Sequence, residues 1–261
     1  MKLMVLGDCH GEGKWVRNKI NWAAKHDIKK IFQVGDMGFW THEEAGVRYL
    51  DFVNEALRET GIKLYFVAGN HDQWDHLDWH EKNSAKDWNN HTYIRSHILY
   101  TGRSNRWVWG GKTFQTVGGA VSVDKDWRTV GKNLWLDEEI PLSVVTEMEK
   151  NSPPSDYLFT HDAPSCVPMG NLKPDMDSVR HRGYMDRIGR VVQPSIWFHG
   201  HYHKWMEYSF MHQQGYASVY GLDRDFQFYS HVILDTENDT VETATGKIVE
   251  HLPFEDISNT M

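Results

Sequence analysis

The stretch from Leu3 to His10 reads LMVLGDCH, an apolar run followed at once by an aspartate and a histidine. The apolar run predicts a buried β-strand. Four later stretches repeat this design, with polar or imidazole side chains directly after an apolar run. They are Ile31 to Gly38, Leu64 to Asp72, Tyr157 to Asp162 and Ile196 to His203. These five strand ends decide the expected fold class and the expected chemistry.

Helical segments separate the first three of these strands. Apolar residues recur at helical spacing from Val16 to Ala24 and from Tyr49 to Leu57. Gly61 stands where the second helix is expected to end. Alternating strands and helices predict parallel pairing with right-handed crossovers. Because ligands bind beyond the carboxyl ends of such strands, we expect the donors of all five ends to meet at one edge.

Composition restricts the classes of function. The chain has 261 residues and a net charge of −8, which disfavours binding to long nucleic acids, since these need clustered lysines and arginines. Neither Cys9 nor Cys166 belongs to a CxxC pair, so we expect no disulfide framework and no structural zinc site. No apolar run reaches membrane-spanning length, and the first residues do not resemble a signal peptide. We therefore expect a cytoplasmic protein without a membrane partner.

The alternating pattern of strands and helices ends after the third strand. Short runs within residues 92–119 predict an antiparallel hairpin, whereas residues 120–140 lack a clean period and predict a long active-site loop. Later elements are expected to be helices after Pro141 and near Met185, and strands at 205–211, 216–220 and 226–234. Since no linker or repeat is visible, we predict a single domain over residues 1–261, with residues 236–261 as a C-terminal extension.

Each donor cluster has an ordinary structural explanation when it is taken alone. Asp8, at a strand end, could be only a helix N-cap. The Gly-Asn-His segment that begins at Gly69 could be an ordinary turn, and His201 could be a buried structural histidine. All five clusters follow strands, and this coincidence favours a shared site instead.

In chain order, the clusters are Asp-x-His, Gly-Asp, Gly-Asn-His-Asp, a lone His and Gly-His-x-His. This order resembles the calcineurin-like metallophosphoesterase superfamily. The resemblance implies an α/β fold, a four-layer α/β/β/α sandwich of two mixed sheets with a dinuclear metal site at the strand ends. It also implies two overlapping ligand sets, Asp8, His10, Asp36 and His203 for one metal and Asp36, Asn70, His161 and His201 for the other.

Such a site has a defined chemistry. Carboxylate, amide and imidazole donors suit two divalent metal ions, with Mn²⁺ expected first and Fe, Zn or Ni as alternatives. Two ions that share Asp36 can clamp phosphoryl oxygens and convert a shared water into a bridging hydroxide. This predicts in-line attack on phosphorus without a covalent enzyme intermediate. The resemblance makes His71 the catalytic acid for the leaving group, and an imidazole titrates in a suitable range.

The second cluster departs from the phosphoprotein phosphatase branch of the superfamily. That branch continues Gly-Asp-x-Val-Asp-Arg-Gly, whereas this chain reads MGFW after Asp36. The aspartate that would orient the acid histidine and the arginine that would grip phosphate are both missing. Asp72 is one candidate for the first role. For the second role we predict substrate contacts from Arg128, Asp124 and His42, with Arg182 as a weaker candidate and a surface pairing of Arg128 with Asp126 as the alternative.

The stretch from Gly118 to Asp124, GGAVSVD, is similar to stretches in bacterial and phage members of the superfamily. We predict a metal-dependent hydrolase of a small phosphomonoester or phosphodiester. The Trp-rich loop at 120–140 could stack a nucleobase, which favours a nucleotide-type substrate. Two alternatives stay open, a weakly active or inactive scaffold protein of this fold and a nuclease. The intact ligand set argues against the first and the net charge against the second.

Overall fold

The first part of the chain alternates strands and helices, as the apolar patterns predict. A computed structural model of the protein describes residues 1–169 and 175–250. Its elements begin with β1 (Lys2–Leu6), α1 (Gly13–Lys25), β2 (Lys30–Gln33), α2 (Glu44–Thr60), β3 (Lys63–Phe66) and α3 (Trp74–Asn83). Helix α2 ends at Gly61, whose φ of 68° is left-handed. A glycine adopts this conformation without the penalty that a Cβ brings.

Short strands dominate the rest of the chain. Four of them precede a single turn of 3₁₀ helix at Lys125–Trp127: β4 (Thr92–Tyr93), β5 (Ile98–Tyr100), β6 (Ser104–Trp109) and β7 (Lys112–Val117). The remaining elements are α4 (Leu142–Asn151), β8 (Tyr157–Thr160), α5 (Met176–Val192), β9 (Ile196–His199), β10 (Met206–His212), β11 (Gly215–Gly221), β12 (His231–Asp235), β13 (Thr240–Thr243) and β14 (Ile248–Glu250). No helix in the described part of the chain is long and apolar enough to cross a membrane.

The strands form two mixed sheets. The first has the order β14-β13-β12-β1-β2-β3-β5-β4 and the second the order β10-β11-β9-β8-β7-β6. Strands β1, β2, β3 and β5 run parallel, and β12 pairs antiparallel with β1. In the second sheet β11, β9, β8 and β7 run parallel between antiparallel partners at both edges. The two mixed sheets expected from the sequence are therefore confirmed.

Alternation along β1 shows how the layers stack. Leu3 and Val5 pack in one core with Phe159 of the second sheet. Met4 and Leu6 point to the other face, into a core shared with helices α1 and α2. A third core joins the outer face of the second sheet to α4 and α5. Since burying one such side chain stabilises a fold by about 1.5–3 kcal/mol, the three cores hold a four-layer α/β/β/α sandwich together.

Two details differ from the expected strand pattern. Within residues 92–119, β6 and β7 form the expected hairpin, but β4 and β5 form a second antiparallel pair, which β5 joins to the first sheet by pairing parallel with β3. The strand expected from Phe226 begins only at His231. A turn closed by a hydrogen bond from Asp223 N to Tyr229 O (3.1 Å) and a left-handed Phe226 occupy the residues before it.

The end of the chain contributes to the first sheet. Strands β13 and β14 lie within residues 236–250, the first part of the expected C-terminal extension, and continue the sheet beyond β12. Residues 251–261 lie outside the described residues. The single domain over residues 1–261 stays a prediction.

Candidate metal centre and active site

The five strand ends converge where the two sheets meet. Strands β1, β2 and β3 bring their ends from the first sheet, and β8 and β9 bring theirs from the second. Backbone hydrogen bonds join the ends in pairs, from His10 N to Asp36 O (2.9 Å) and from Gly200 N to His161 O (3.1 Å). The expected single edge is thus shared between two sheets.

The backbone at these ends is unusual. Four of the seven predicted ligands have left-handed φ angles, namely His10 (44°), Asp36 (55°), His201 (70°) and His203 (49°). Residues other than glycine rarely adopt this conformation, which costs on the order of 1–3 kcal/mol each and clusters at functional sites. The turns redirect each chain immediately after its strand, so that the side chains face one another.

One predicted ligand set forms a compact group. Ligand atoms of Asp8, His10, Asp36 and His203 all lie within 4.8 Å of one another. His203 Nε2 is 3.0 Å from Asp8 Oδ2, and His10 Nε2 is 3.6 Å from Asp36 Oδ2. Two carboxylates and two imidazoles at this spacing can share one divalent cation.

The second predicted set surrounds the same aspartate. His161 Nε2 lies 3.3 Å from Asp36 Oδ2 and 3.1 Å from Asn70 Oδ1. Its Nδ1 is 2.8 Å from the Val34 carbonyl oxygen, which can only accept a hydrogen bond, so Nε2 is the nitrogen left for a ligand. The His201 ring is the more distant member, with its centroid 5.0 Å from that of His161.

A buried oxygen lies at the centre of both sets. Asp36 is 1% exposed, and its Oδ2 makes no hydrogen bond of good geometry. Three histidines face this oxygen at 3.3 to 3.8 Å without such a bond. A buried carboxylate oxygen without a hydrogen bond is costly, and bound cations would satisfy it. The residues present therefore fit two divalent ions that share Asp36.

The pKa values of two of these histidines are shifted by the buried Asp36 carboxylate. Burial lowers the pKa of the His161 imidazole, but the Asp36 carboxylate more than offsets this and raises it to about 10. Burial also lowers the pKa of His10, and Asp36 again more than offsets this and raises it to about 9. Without a metal ion, protons on these imidazoles balance the buried carboxylates. Binding of divalent cations should therefore release protons.

Two glycines let these groups approach one another. A Cβ at Gly200 would lie 2.1 Å from Asp8 Oδ1, and one at Gly69 would lie 2.2 Å from Asp36 Oδ1. Neither neighbour can retreat, because both carboxylates are buried in the site. The glycines of the Gly-Asn-His-Asp and Gly-His-x-His clusters are thus needed for space.

His71 lies at the open side of the centre. Its side chain is 28% exposed, and its Nε2 is 3.8 Å from Asp36 Oδ2. The backbone holds it in place, because its N–H donates to Asp36 Oδ1 (2.8 Å) and its carbonyl accepts from the indole N–H of Trp40 (2.7 Å). A second indole, that of Trp135, reaches the same carbonyl at 3.4 Å.

Asp72 does not orient His71. Its Oδ1 accepts from the amides of Gly38 (3.0 Å) and Phe39 (2.9 Å), and its Oδ2 from those of Met37 (3.2 Å) and Gly69 (2.9 Å). The carboxylate is fully buried and ties the turn after β2 to the turn after β3. The candidate role for Asp72 is therefore corrected to that of a structural anchor.

Arg128 contacts His71 directly. Its Nη1 lies 2.9 Å from His71 Nδ1 and its Nη2 2.7 Å from Nε2, while its Nε donates to Asp124 Oδ1 (2.6 Å). Only 8% of the arginine side chain is exposed. Burial lowers the pKa of His71, Asp36 opposes this effect, and Arg128 adds to it. The loop at 120–140 thus places a guanidinium beside the predicted acid, and the alternative surface pairing with Asp126 is not seen.

The other two candidates for substrate contact, His42 and Arg182, have different surroundings. His42 lines a cavity of about 210 Å³ together with His71, and its Nδ1 is 3.1 Å from Gln73 Oε1. Arg182 is buried and donates to the backbone carbonyls of Pro164 (2.7 Å) and Val167. It therefore holds the segment after β8, which does not match the expected role in substrate binding.

Several supporting residues gave no usable signal in the sequence. Asp225 Oδ1 is 3.6 Å from His10 Nδ1, and its backbone N–H donates to the Asp8 carbonyl (2.8 Å). Asp162 accepts from Tyr202 Oη (2.7 Å) and lies 2.6 Å from His181 Nδ1. A carboxylate beside a metal-binding histidine, as Asp225 is beside His10, is typical of such sites, whereas Asp162 joins two residues that are not predicted ligands. Only folding brings these side chains within reach.

Comparison with known proteins agrees with this geometry. Residues 1–205 match the family model of the calcineurin-like phosphoesterases, Metallophos. The fold is similar to that of TT1561 of Thermus thermophilus, with a TM-score of 0.56 and 12% identity over 93% of this chain and 97% of that one. It is also similar to a dimetal phosphatase from Danio rerio, with a TM-score of 0.55 and 11% identity over 97% of this chain and 96% of that one.

No curated protein matches the sequence significantly. The structural similarities establish the fold, and the family match covers most of the chain. The protein therefore belongs to the calcineurin-like phosphoesterase family of metal-dependent hydrolases.

Proposed function

We propose that the protein hydrolyses a small phosphomonoester or phosphodiester at two divalent metal ions, of which manganese is the first choice. One ion would be held by Asp8, His10, Asp36 and His203, and the other by Asp36, Asn70, His161 and His201. The observation that carries the proposal is the buried Oδ2 of Asp36, which lies between the two donor sets and makes no hydrogen bond of good geometry. Two such ions would supply Lewis-acid activation of water and of the phosphoryl oxygens.

Arg128 and His71 would act on the substrate itself. A guanidinium can donate two parallel hydrogen bonds to a phosphoryl group, and Arg128 already directs both terminal nitrogens toward the centre through His71. A phosphoryl group bound there would bring negative charge next to His71 and favour its protonated form. His71 Nε2, the nitrogen nearer Asp36, would then give its proton to the leaving oxygen.

The surroundings support a nucleotide-type substrate. Trp127 precedes Arg128 and is 90% exposed, so its indole is available for stacking on a nucleobase. The cavity shared by His42 and His71 is small, about 210 Å³, and suits one substituent of a small molecule better than a strand. A net charge of −8 also disfavours a long nucleic-acid strand as the substrate.

The proposed setting is the cytoplasm, with a small phosphorylated compound as the partner. Cys9 and Cys166 are both free thiols, which is compatible with a reducing compartment. The scaffold alternative has little support, because loss of function usually removes a ligand and all seven predicted positions are present.

The test is a hydrolysis screen with Mn²⁺, using p-nitrophenyl phosphate, its bis ester, nucleoside monophosphates and cyclic nucleotides. Each hydrogen bond to a charged group contributes about 1.5–3 kcal/mol, so Arg128→Ala should lower kcat/KM at least about tenfold. Asp36→Asn should abolish turnover. Arg187→Ala is the matched control, because Arg187 pairs with Glu149 on the surface.

Two results would contradict the proposal. The first is a metal-loaded wild-type protein that hydrolyses none of these esters. The second is an Arg128→Ala variant with unchanged KM and kcat, which would remove Arg128 from the substrate site.

A further inference from the structure

A buried chain of hydrogen bonds leads from Asn70 into the loop at 120–140. Asn70 Nδ2 donates to Ser122 Oγ (3.0 Å), and Ser122 Oγ donates to Glu138 Oε2 (2.8 Å). The Ser122 backbone N–H donates to the other carboxylate oxygen, Oε1, at 2.7 Å. Asn70, Ser122 and Glu138 are 1%, 0% and 5% exposed. Of these three residues, only Asn70 was expected from the sequence to serve the site.

The direction of these bonds follows from the number of protons. A serine hydroxyl has one proton, and an ionised carboxylate can only accept. The Ser122 hydroxyl therefore donates its hydrogen bond to Glu138, and Ser122 Oγ can only accept a hydrogen bond from Asn70. Asn70 must turn its NH₂ group toward the serine, which leaves Oδ1 on the side of His161, 3.1 Å from its Nε2.

We infer that Glu138 is a positioning residue that, acting through Ser122, keeps the carbonyl oxygen of Asn70 directed toward the second metal site. The inference deepens the proposed function and rests on its assignment of Asn70 as a ligand. The two ends of an amide have nearly the same shape but opposite polarity. Only the oxygen end can bind a cation, so the orientation of Asn70 decides whether that ligand exists.

We call the hydrogen-bonded chain of Asn70, Ser122 and Glu138 the relay, and backbone hydrogen bonds hold it in place. Ala120 N donates to the Glu138 carbonyl (3.1 Å), and Gly119 N donates to the Ala68 carbonyl (2.8 Å). Both ends of the loop are therefore fastened next to the turn that carries Asn70. A Cβ at Gly119 would lie 2.4 Å from the Glu138 carbonyl oxygen, so this approach needs a glycine.

Glu138→Gln tests the direction of the relay with almost no change in shape. The Ser122 N–H still needs an acceptor, so the new amide oxygen faces it and the new NH₂ group faces Ser122 Oγ. The serine then accepts from this NH₂ and directs its own proton at Asn70. Asn70 would have to present its oxygen to the serine and its NH₂ to the metal site, which weakens binding of the second ion.

The experiment measures binding of Mn²⁺ alone to the full chain, by titration calorimetry and by the EPR signal of a coupled manganese pair. It is run at about pH 8, above the usual range of a carboxyl group and above the pKa of Glu138, which burial raises to about 7. Glu139→Gln is the matched control, because the Glu139 carboxylate pairs with Arg180 (2.6 Å). Unchanged melting of the metal-free variant excludes a folding defect.

Changes to groups that orient metal ligands cost about 10- to 100-fold in metal affinity. We expect this loss for the second ion in Glu138→Gln, with the first ion unaffected and the coupled EPR signal lost. Repeating Glu138→Gln in the Asn70→Asp background should restore the second ion, because a carboxylate presents an oxygen in either orientation. Ser122→Ala, also rescued by Asn70→Asp, serves as a second variant if Glu138→Gln does not fold.

Two outcomes would overturn the inference, and they are distinguishable. If Asn70→Ala loses the second ion while Glu138→Gln and Ser122→Ala keep it, the relay does not position Asn70 and the proposed ligand set stands. If Asn70→Ala itself keeps both ions at wild-type affinity, the ligand assignment in the proposed function is wrong, and the inference falls with it.

Discussion

Asp72→Asn should destabilise this protein far more than its small change in size suggests. The Asp72 carboxylate is buried and accepts from four backbone amides, two on each oxygen, at 2.9 to 3.2 Å. An asparagine keeps one oxygen and replaces the other with an NH₂ group. Two of the four amides then face a donor and lose their partner.

The magnitude follows from the count of unpaired amides. Each buried donor left without an acceptor costs about 1–3 kcal/mol, so two of them should lower the free energy of unfolding by about 2–6 kcal/mol. Natural domains are stable by only about 5–15 kcal/mol in total. Because the four amides belong to the turns after β2 and β3, the loss should also loosen Asp36 and Asn70.

The assay is urea unfolding of the metal-free protein, followed by tryptophan fluorescence at about pH 8, where a carboxyl group is ionised. This lies above the pKa of Asp72, which burial and Asp36 raise to about 6. Asp75→Asn is the matched control, because Asp75 is exposed three residues away and such a surface change usually stays within about 0.5 kcal/mol. Equal stability of the two variants would refute the reasoning.

Three further predictions concern the metal site and the pH response. Gly200→Ala, whose Cβ would lie 2.1 Å from Asp8 Oδ1, should lower both Mn²⁺ affinity and melting temperature. At Gly183, within α5, a Cβ would meet no group outside the helix backbone within 4 Å, so Gly183→Ala should leave Mn²⁺ affinity unchanged and should not lower the melting temperature. Mn²⁺ at about 100 times its Kd should stabilise the protein by about 2.7 kcal/mol, and a chelator should reverse the shift in melting temperature; no shift would argue against a metal site. Burial, together with the charge of Lys19, lowers the pKa of His231 to about 4. A histidine in the unfolded chain has a pKa of about 6.5. Between about pH 4 and pH 6.5 the unfolded chain therefore binds more protons than the folded protein. Stability should therefore fall as the pH is lowered from about 6.5 toward 4, and the fall should be smaller in His231→Gln; an identical pH profile of melting temperature would contradict this.

The ligand positions could be predicted because their signal is local. A short apolar run forms a strand, and the residue after it lies at the strand end whatever the rest of the chain does. Asp8, His10, Asp36 and His203 follow such runs, and the structure brings their ligand atoms within 4.8 Å of one another. The parallel order of strands joined by helices is equally local, because crossovers are right-handed.

The surroundings of the site could not be predicted in the same way. Arg128 and His71 are 57 residues apart, and Asn70 and Ser122 are 52 apart. No periodicity relates such positions, and the loop that carries Arg128 and Ser122 has no regular pattern. Asp72 shows the same limit, because its position beside His71 suggested a role in catalysis, whereas its carboxylate faces the turn after β2.

By itself, then, the sequence determined the fold class, the family resemblance and the positions from which seven donors could reach a metal site. The tertiary structure alone decided that these donors come from two sheets, that Asp72 joins the turns after β2 and β3, and that the loop at 120–140 meets His71 and Asn70. The reason is physical. Strands and their ends are set by interactions between near neighbours, whereas the direction of a hydrogen bond or the partner of a buried charge depends on groups that only packing brings together.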